Sequence, residues 1–286
     1  MERLHKSSIS ITDIASQYWC EKQMELNYIY GKRISSAIRQ GKALHEELEE
    51  QVNIPIILQP KGYPDALYRS LYTSYMAVRA LKEKGKTREV NIYGSANGFK
   101  LVGKVDQLEL KNNEMAVIED KTRASDSIPT SAQQSVHKVQ VMLYYKMIGD
   151  IKEGLYSFKN FNAAYKPERM ELSPEFMRQL DAINVEKKLQ GLAEIAGAYF
   201  EEMRATPPLS SSLVIRYINQ FTGREIKVSK LKYDGAEMQG ALTYVLKYWN
   251  GEREAMPVPK SEQWKCKFCV FYGKECKVWW PQKVLR

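Results

Sequence analysis

Three features of the sequence predict one α/β domain with additions at both ends. Helix-like periodicity dominates the first 84 residues. A branched, alternating stretch then runs from residue 87 to 122, and no low-complexity linker or internal repeat divides the chain of 286. That length suffices to bury a substantial core.

The elements follow in order. TDIASQYWCEKQMELNYIYG opens on Thr12 or Asp13 as a cap, keeps its apolar residues at helical spacing and stops at Gly31. A second helix is predicted from about Ser36 to Val52. A third runs from about Pro64 to Lys84, where Tyr68, Tyr72 and Tyr75 are interleaved with basic residues and either stack on a ligand or enter the core. TREVNIYG, GFKLVGKVDQLELKNN and EMAVIEDKT read as strands, with turns at Gly98 and at Asn112 and Asn113. SAQQSVHKVQVMLYYKMIG returns to helical spacing. KEGLYSFKNFN and PERMELS read as further strands, and a long helix is predicted from Pro174 to Arg204 with Ser173 as its cap. SLVIRYIN and REIKVSKLKYD around QFTG form a predicted hairpin. A helix from about Gly235 to Trp249 follows, and a tail rich in Lys, Trp and Cys starts at Pro257.

Hydrophobic residues at 44% and charged residues at 27% are ordinary for a globular protein. No apolar run approaches the ~18 residues that span a bilayer, so no membrane partner is expected. The N-terminal stretch lacks the apolar core of a secretory signal, which points to an intracellular protein whose thiols stay reduced. The expected compartment is the cytoplasm in a prokaryote, and the nucleus or mitochondrion in a eukaryote. A net charge of +9 favours a polyanionic partner.

The segment VGKVDQLELKNNEMAVIEDKT carries the chemistry. Two strands joined at the Asn pair are antiparallel neighbours, which brings Asp106 close to Glu119. Side chains alternate along a strand, so Glu119 and Lys121 share one side and Asp120 takes the other. A solvated hairpin would look the same. A site that cleaves phosphodiesters, however, needs hard oxygen ligands for Mg²⁺ or Mn²⁺ and a lysine near the nucleophile. His45, on the second predicted helix, would complete a metal site if that helix abuts the carboxylates. Gln140 and Tyr144 are four apart and share a helix face.

The four cysteines are Cys20, Cys266, Cys269 and Cys276. A CxxC pair with a third thiol close by favours metal over redox exchange. Four thiolates suit Zn²⁺ or an iron–sulfur cubane equally well, and either would staple the N-terminal helix to the C-terminal tail.

Gly41 to His45, Asp106, Glu119-x-Lys121 and Gln140-x-x-x-Tyr144 occur in the order found in RecB-type PD-(D/E)XK nucleases. A cysteine before that core and three after it resemble the iron–sulfur subgroup, which includes AddB-type and CRISPR-adaptation nucleases. From Ile9 to Cys276 the chain is most similar to the exonuclease V family. The resemblance implies a PD-(D/E)XK nuclease core: a mixed central sheet flanked by helices, its N- and C-terminal segments joined by a four-cysteine iron–sulfur cluster. It implies one domain over 1–286, with the core at about 36–160 and cluster-binding segments at about 9–31 and 257–280.

The implied activity is metal-dependent exonuclease cleavage of single-stranded DNA, loading at a 5′ end. Asp106, Glu119, the carbonyl of Asp120 and His45 would hold two Mg²⁺ or Mn²⁺ ions. Lys121 would be the catalytic lysine, with Gln140 and Tyr144 as accessory residues, and the four cysteines would ligate a 4Fe–4S cluster. A single-strand-binding protein is a candidate partner. Lys265, Lys267, Lys274 and Lys277 around the cysteines would grip phosphates. Two alternatives stay open: a CRISPR-adaptation nuclease that trims spacer precursors, and a non-catalytic, cluster-stabilised DNA-binding module.

Overall fold

From Lys86 to Arg123 the chain folds back on itself twice, as β2 (Lys86–Ala96), β3 (Phe99–Lys111) and β4 (Glu114–Arg123). Asn97 and Gly98 at the first turn, and Asn112 and Asn113 at the second, all take positive φ. That is what two-residue hairpin turns require, and Asn and Gly supply it at least cost. The computed structural model describes residues 1, 4 and 6–277.

Around this meander lie β1 (Ile9–Ser10), α1 (Ile11–Tyr30), α2 (Ser36–Glu50), α3 (Tyr63–Lys84), α4 (Ser131–Lys152), α5 (Phe158–Tyr165), α6 (Pro174–Ala182) and α7 (Leu192–Arg204). The hairpin of β5 (Ser212–Asn219) and β6 (Glu225–Lys232) and helix α8 (Gly235–Asn250) complete the set. The described strands form one mixed six-stranded sheet. β3 pairs antiparallel with β2 and β4, β1 joins β3 in parallel, β4 runs parallel to β5, and β6 closes the far edge antiparallel to β5. Helices α3, α4 and α7 pack on the meander, and Val90, Ile92, Val105, Val141 and Ile195 are fully buried between them.

The structure departs from the sequence reading between α4 and β5. KEGLYSFKNFN and PERMELS are not strands. Phe158–Tyr165 is helical because Ser157 and Asn160 form a capping box, while Phe161 and Tyr165, four apart, are both buried. Pro167–Arg169 is a single 3₁₀ turn after Lys166 in the left-handed region. The long helix predicted from Pro174 to Arg204 is two helices. Ala182 ends the first, Asn184 takes a φ of 56°, and the second starts after Gly191. Tyr68 and Tyr72 are buried against each other, and Tyr68 also against Phe176, so base stacking on α3 is excluded for both. Among the described residues no helix is long and apolar enough to cross a membrane.

Candidate active site

The pairing of β3 with β4 stops at Gln107 opposite Ile118, and β1 takes over the same edge of β3 only at Leu101 and Val102. Asp106 lies in the gap. Its Oδ2 accepts the main-chain N–H of Asp120 at 2.7 Å, so a carboxylate replaces the missing ladder bond and ties the strand ends together. Glu119, next in register, is 1% exposed. Its Oε1 accepts from Lys121 Nζ at 2.5 Å, whereas its buried Oε2 has no hydrogen-bond partner. Lys121 also donates to Gln140 Oε1 at 2.9 Å, and Gln140 Nε2 donates to Tyr144 Oη at 3.1 Å. The residues predicted from the two motifs thus form one hydrogen-bonded chain from β4 to α4. Gly103 lets Tyr144 approach: a Cβ there would lie 2.5 Å from the ring.

Charge is unbalanced here. Burial, and then the charge of Asp106, push Glu119 up to about 8. Burial also raises Asp106, against the pull of His45 and Lys121. Burial disfavours the charged form of Lys121, but Glu119 and Asp106 outweigh it and hold the ammonium above its usual range. One buried and one partly buried carboxylate share one lysine, a setting that favours protons or an added cation.

Helix α2 brings His45 to the same place. It approaches closely because Gly41 has no Cβ, which would stand 2.5 Å from Thr122 Oγ1. His45 Nδ1 lies 3.8 Å from Asp106 Oδ1 and 3.5 Å from Glu89 Oε1. Burial lowers the His45 pKa, yet Glu89 and Asp106 more than reverse this and raise it. Glu89 was not legible as a site residue in the sequence. It sits within β2 at a φ of 54°, a left-handed conformation that costs a non-glycine residue about 1–2 kcal/mol. Lys104 pairs with its other oxygen at 3.1 Å. Ligand atoms of His45, Glu89 and Asp106 all lie within 4.8 Å of one another.

Asp120 points the other way, as alternation along β4 requires. Arg216 grips it with two hydrogen bonds of 2.7 and 2.8 Å. Arg88 Nη2 stands 2.8 Å away in an ion pair buried from solvent. Both guanidinium groups also donate to Gln107 Oε1. Burial would raise the Asp120 pKa, but the arginines hold it below the usual carboxylate range.

All four cysteines are free thiols and line one small cavity with Trp19, Val258 and Lys265. Cys20 breaks α1. Its backbone is extended at φ −169° and ψ 112°, and its Sγ accepts the N–H of Gln23, which caps the second half of the helix. Cys266 and Cys269 flank a turn closed by the Cys269 N–H on the Cys266 carbonyl, and Cys276 returns through its bond to Phe271. Burial raises the Cys20 and Cys266 pKa values. Protein contacts already join the two ends of the chain: Arg253 pairs with Glu21, and Trp249 Nε1 donates to Gln17. Lys265 is only 2% exposed, with its ammonium bonded to Glu262 and the Trp19 carbonyl, so it is not free to grip phosphate.

A family model described as exonuclease V, a 5′ deoxyribonuclease, matches residues 2–119, 111–194 and 184–280. Exonuclease V of Danio rerio is 26% identical over 280 residues, covering 95% of this chain and 70% of that relative. The crystal structure of SSO0001 aligns over 93% of this chain and 85% of its own, at 16% identity and a TM-score of 0.45. The protein is a DNA exonuclease. That sets aside the reading as a binding module without catalysis. More narrowly, the chain belongs to the exonuclease V family.

Proposed function

We propose that the protein hydrolyses single-stranded DNA from a 5′ end at a PD-(D/E)XK-type site that works with two Mg²⁺ or Mn²⁺ ions. The observation that carries this reading is the carboxylate pair of partly buried Asp106 and fully buried Glu119, both within the field of Lys121, while Glu119 Oε2 has no partner. Those oxygens, with His45, are a donor set that suits a hard divalent cation. Asp120 offers only its main-chain carbonyl, because its carboxylate is held behind the sheet. A bound ion lowers the pKa of a water molecule and offsets charge on the scissile phosphate.

The chain's own residues do the rest. Lys121, fixed by Glu119 and Gln140, places an ammonium where negative charge develops. Tyr144 orients Gln140, and its phenol stays neutral because burial raises its pKa well above the usual value. An open cleft of about 400 Å³ beside His45 and Lys121, lined also by Lys42 and Gln220, gives a single strand access. Phe221, 63% exposed next to Gln220, is suited to stack on an unpaired base.

The same reading assigns Cys20, Cys266, Cys269 and Cys276 to a 4Fe–4S cluster that joins segments 9–31 and 257–280 to a core at about 36–160 within one domain; residues 278–280 lie outside the described residues. The donor set fits, since four reduced thiols line one cavity.

The test uses protein purified without oxygen and 3′-labelled single-stranded DNA. Wild type with Mg²⁺ or Mn²⁺ is expected to degrade the strand, and Asp106→Ala to bind without cutting. A 5′ biotin–streptavidin block is expected to stop digestion. Unchanged digestion of the blocked strand would refute the polarity, and cleavage by Asp106→Ala the catalytic site. Four irons per chain with visible absorbance are expected; one zinc and no iron would overturn the cluster.

A further inference from the structure

We infer that Glu89 forms a second cation position with His45 and Asp106, on the α2 side of the carboxylate pair. The inference rests on the metal-dependent reading above and deepens it. Arg88 pairs with Gln107 and Val90 with Val105, while Gln107 pairs with Ile118. Glu89, Asp106 and Glu119 therefore form one row across three neighbouring strands. Like charges directly opposite one another destabilise a sheet, so such a row needs cations. The protein provides Lys121 at one end and the half-exposed Lys104 at the other, and His45 between Glu89 and Asp106.

Two further observations point to a ligand. Glu119 Oε2 is buried, without a partner, and belongs to the carboxylate that adjoins Asp106. His45 Nδ1 is too far from both Glu89 and Asp106 for a good hydrogen bond, although the three ligand atoms lie within 4.8 Å. One imidazole and two carboxylates suit Mn²⁺ or Mg²⁺.

The backbone is arranged to keep Glu89 there. It drops out of the β2–β3 ladder in the left-handed region, a conformation that persists only when neighbours enforce it. Asn53, just beyond α2, accepts the Arg88 N–H at 3.3 Å and donates to the Arg88 carbonyl at 2.8 Å. The Arg88 side chain is anchored at Asp120 and Gln107, and Val90 is fully buried on the other flank.

Mn²⁺ binding to the cluster-loaded full chain, followed by electron paramagnetic resonance and calorimetry, tests this. Wild type is expected to take two Mn²⁺, and Glu89→Gln to lose one or bind it at least ~10-fold more weakly. Glu89→Gly guards against misfolding, since glycine accepts the backbone conformation. It should melt at or above wild type in EDTA and show a reduced rise in Tm with Mn²⁺. Wild-type stoichiometry and affinity in Glu89→Gln, or a full Mn²⁺-induced rise in Glu89→Gly, overturns the second position and leaves the nuclease reading intact. Wild type binding no Mn²⁺ overturns both.

Discussion

Asp120→Asn is nearly isosteric, yet it removes the negative charge held between Arg88 and Arg216. The two arginines will not respond alike. The Arg216 side chain is 24% exposed and can turn toward water, whereas that of Arg88 is 2% exposed and cannot. Nε and Nη2 of Arg88 already lack hydrogen-bond partners, so its burial depends on the charge of Asp120. Breaking a buried pair on one side costs about 3–5 kcal/mol. Unfolding 286 residues releases about 600 cal/mol/K, so each kcal/mol lowers Tm by about 1.7 °C. The expected loss is about 5–8 °C, read by calorimetry at pH 7.5 in EDTA. Arg88→Met in the same chain removes the stranded charge and should restore at least half of it. The pH dependence has a definite sign. Asp120 is held below its ordinary pKa, so its contribution is complete above about pH 4 and fades as pH falls through the lowered value. The difference between wild type and variant should shrink at low pH. A loss under about 2 °C at pH 7.5, or a double variant less stable than the sum of the singles, would refute this account.

Three other outcomes are expected. Gly103→Ala places a methyl 2.5 Å from Tyr144 and 2.8 Å from Ile11, which should cost about 1–3 kcal/mol and draw Tyr144 away from Gln140. Stopped-flow digestion should show slower cleavage with DNA affinity unchanged, and wild-type cleavage would show that the Gln140–Tyr144 link does not matter. Metal binding must displace the proton that Glu119 holds up to about pH 8, so Mn²⁺ affinity should rise with pH by up to about tenfold per unit and level off near pH 8. In metal-free protein the sign reverses for stability, because a carboxyl raised above its ordinary pKa costs stability as pH climbs from about 4.5 toward that value. A flat affinity profile between pH 6 and 8 would show that Glu119 is not the group displaced.

Much of this arrangement is legible in the sequence because local periodicities write it. The period of two in β4 separates Glu119 and Lys121 from Asp120, and the i, i+4 spacing in α4 aligns Gln140 with Tyr144. Glu89 shows where that legibility ends. TREVNIYG reads as an unbroken strand, and the φ of 54° comes from Asn53, 36 positions upstream, and from the Asp120 clamp. No single-residue propensity marks a glutamate for the left-handed region. Elsewhere a signal was present but outweighed. YSFKNF reads as a strand, although Ser157 and Asn160 form a capping box. Asn184 and Gly191 marked the break between α6 and α7.

The row of carboxylates also sets an order of assembly. Glu89, Asp106 and Glu119 belong to one local meander, whereas Arg216 comes 96 residues after Asp120 and arrives through the parallel pairing of β4 with β5. Local hairpins close sooner than long-range parallel pairs. A ribosome therefore delivers three neighbouring acids long before the arginine that braces the strand behind them. Until Arg216 arrives, the buried charge of Asp120 faces only Arg88, a member of the same meander.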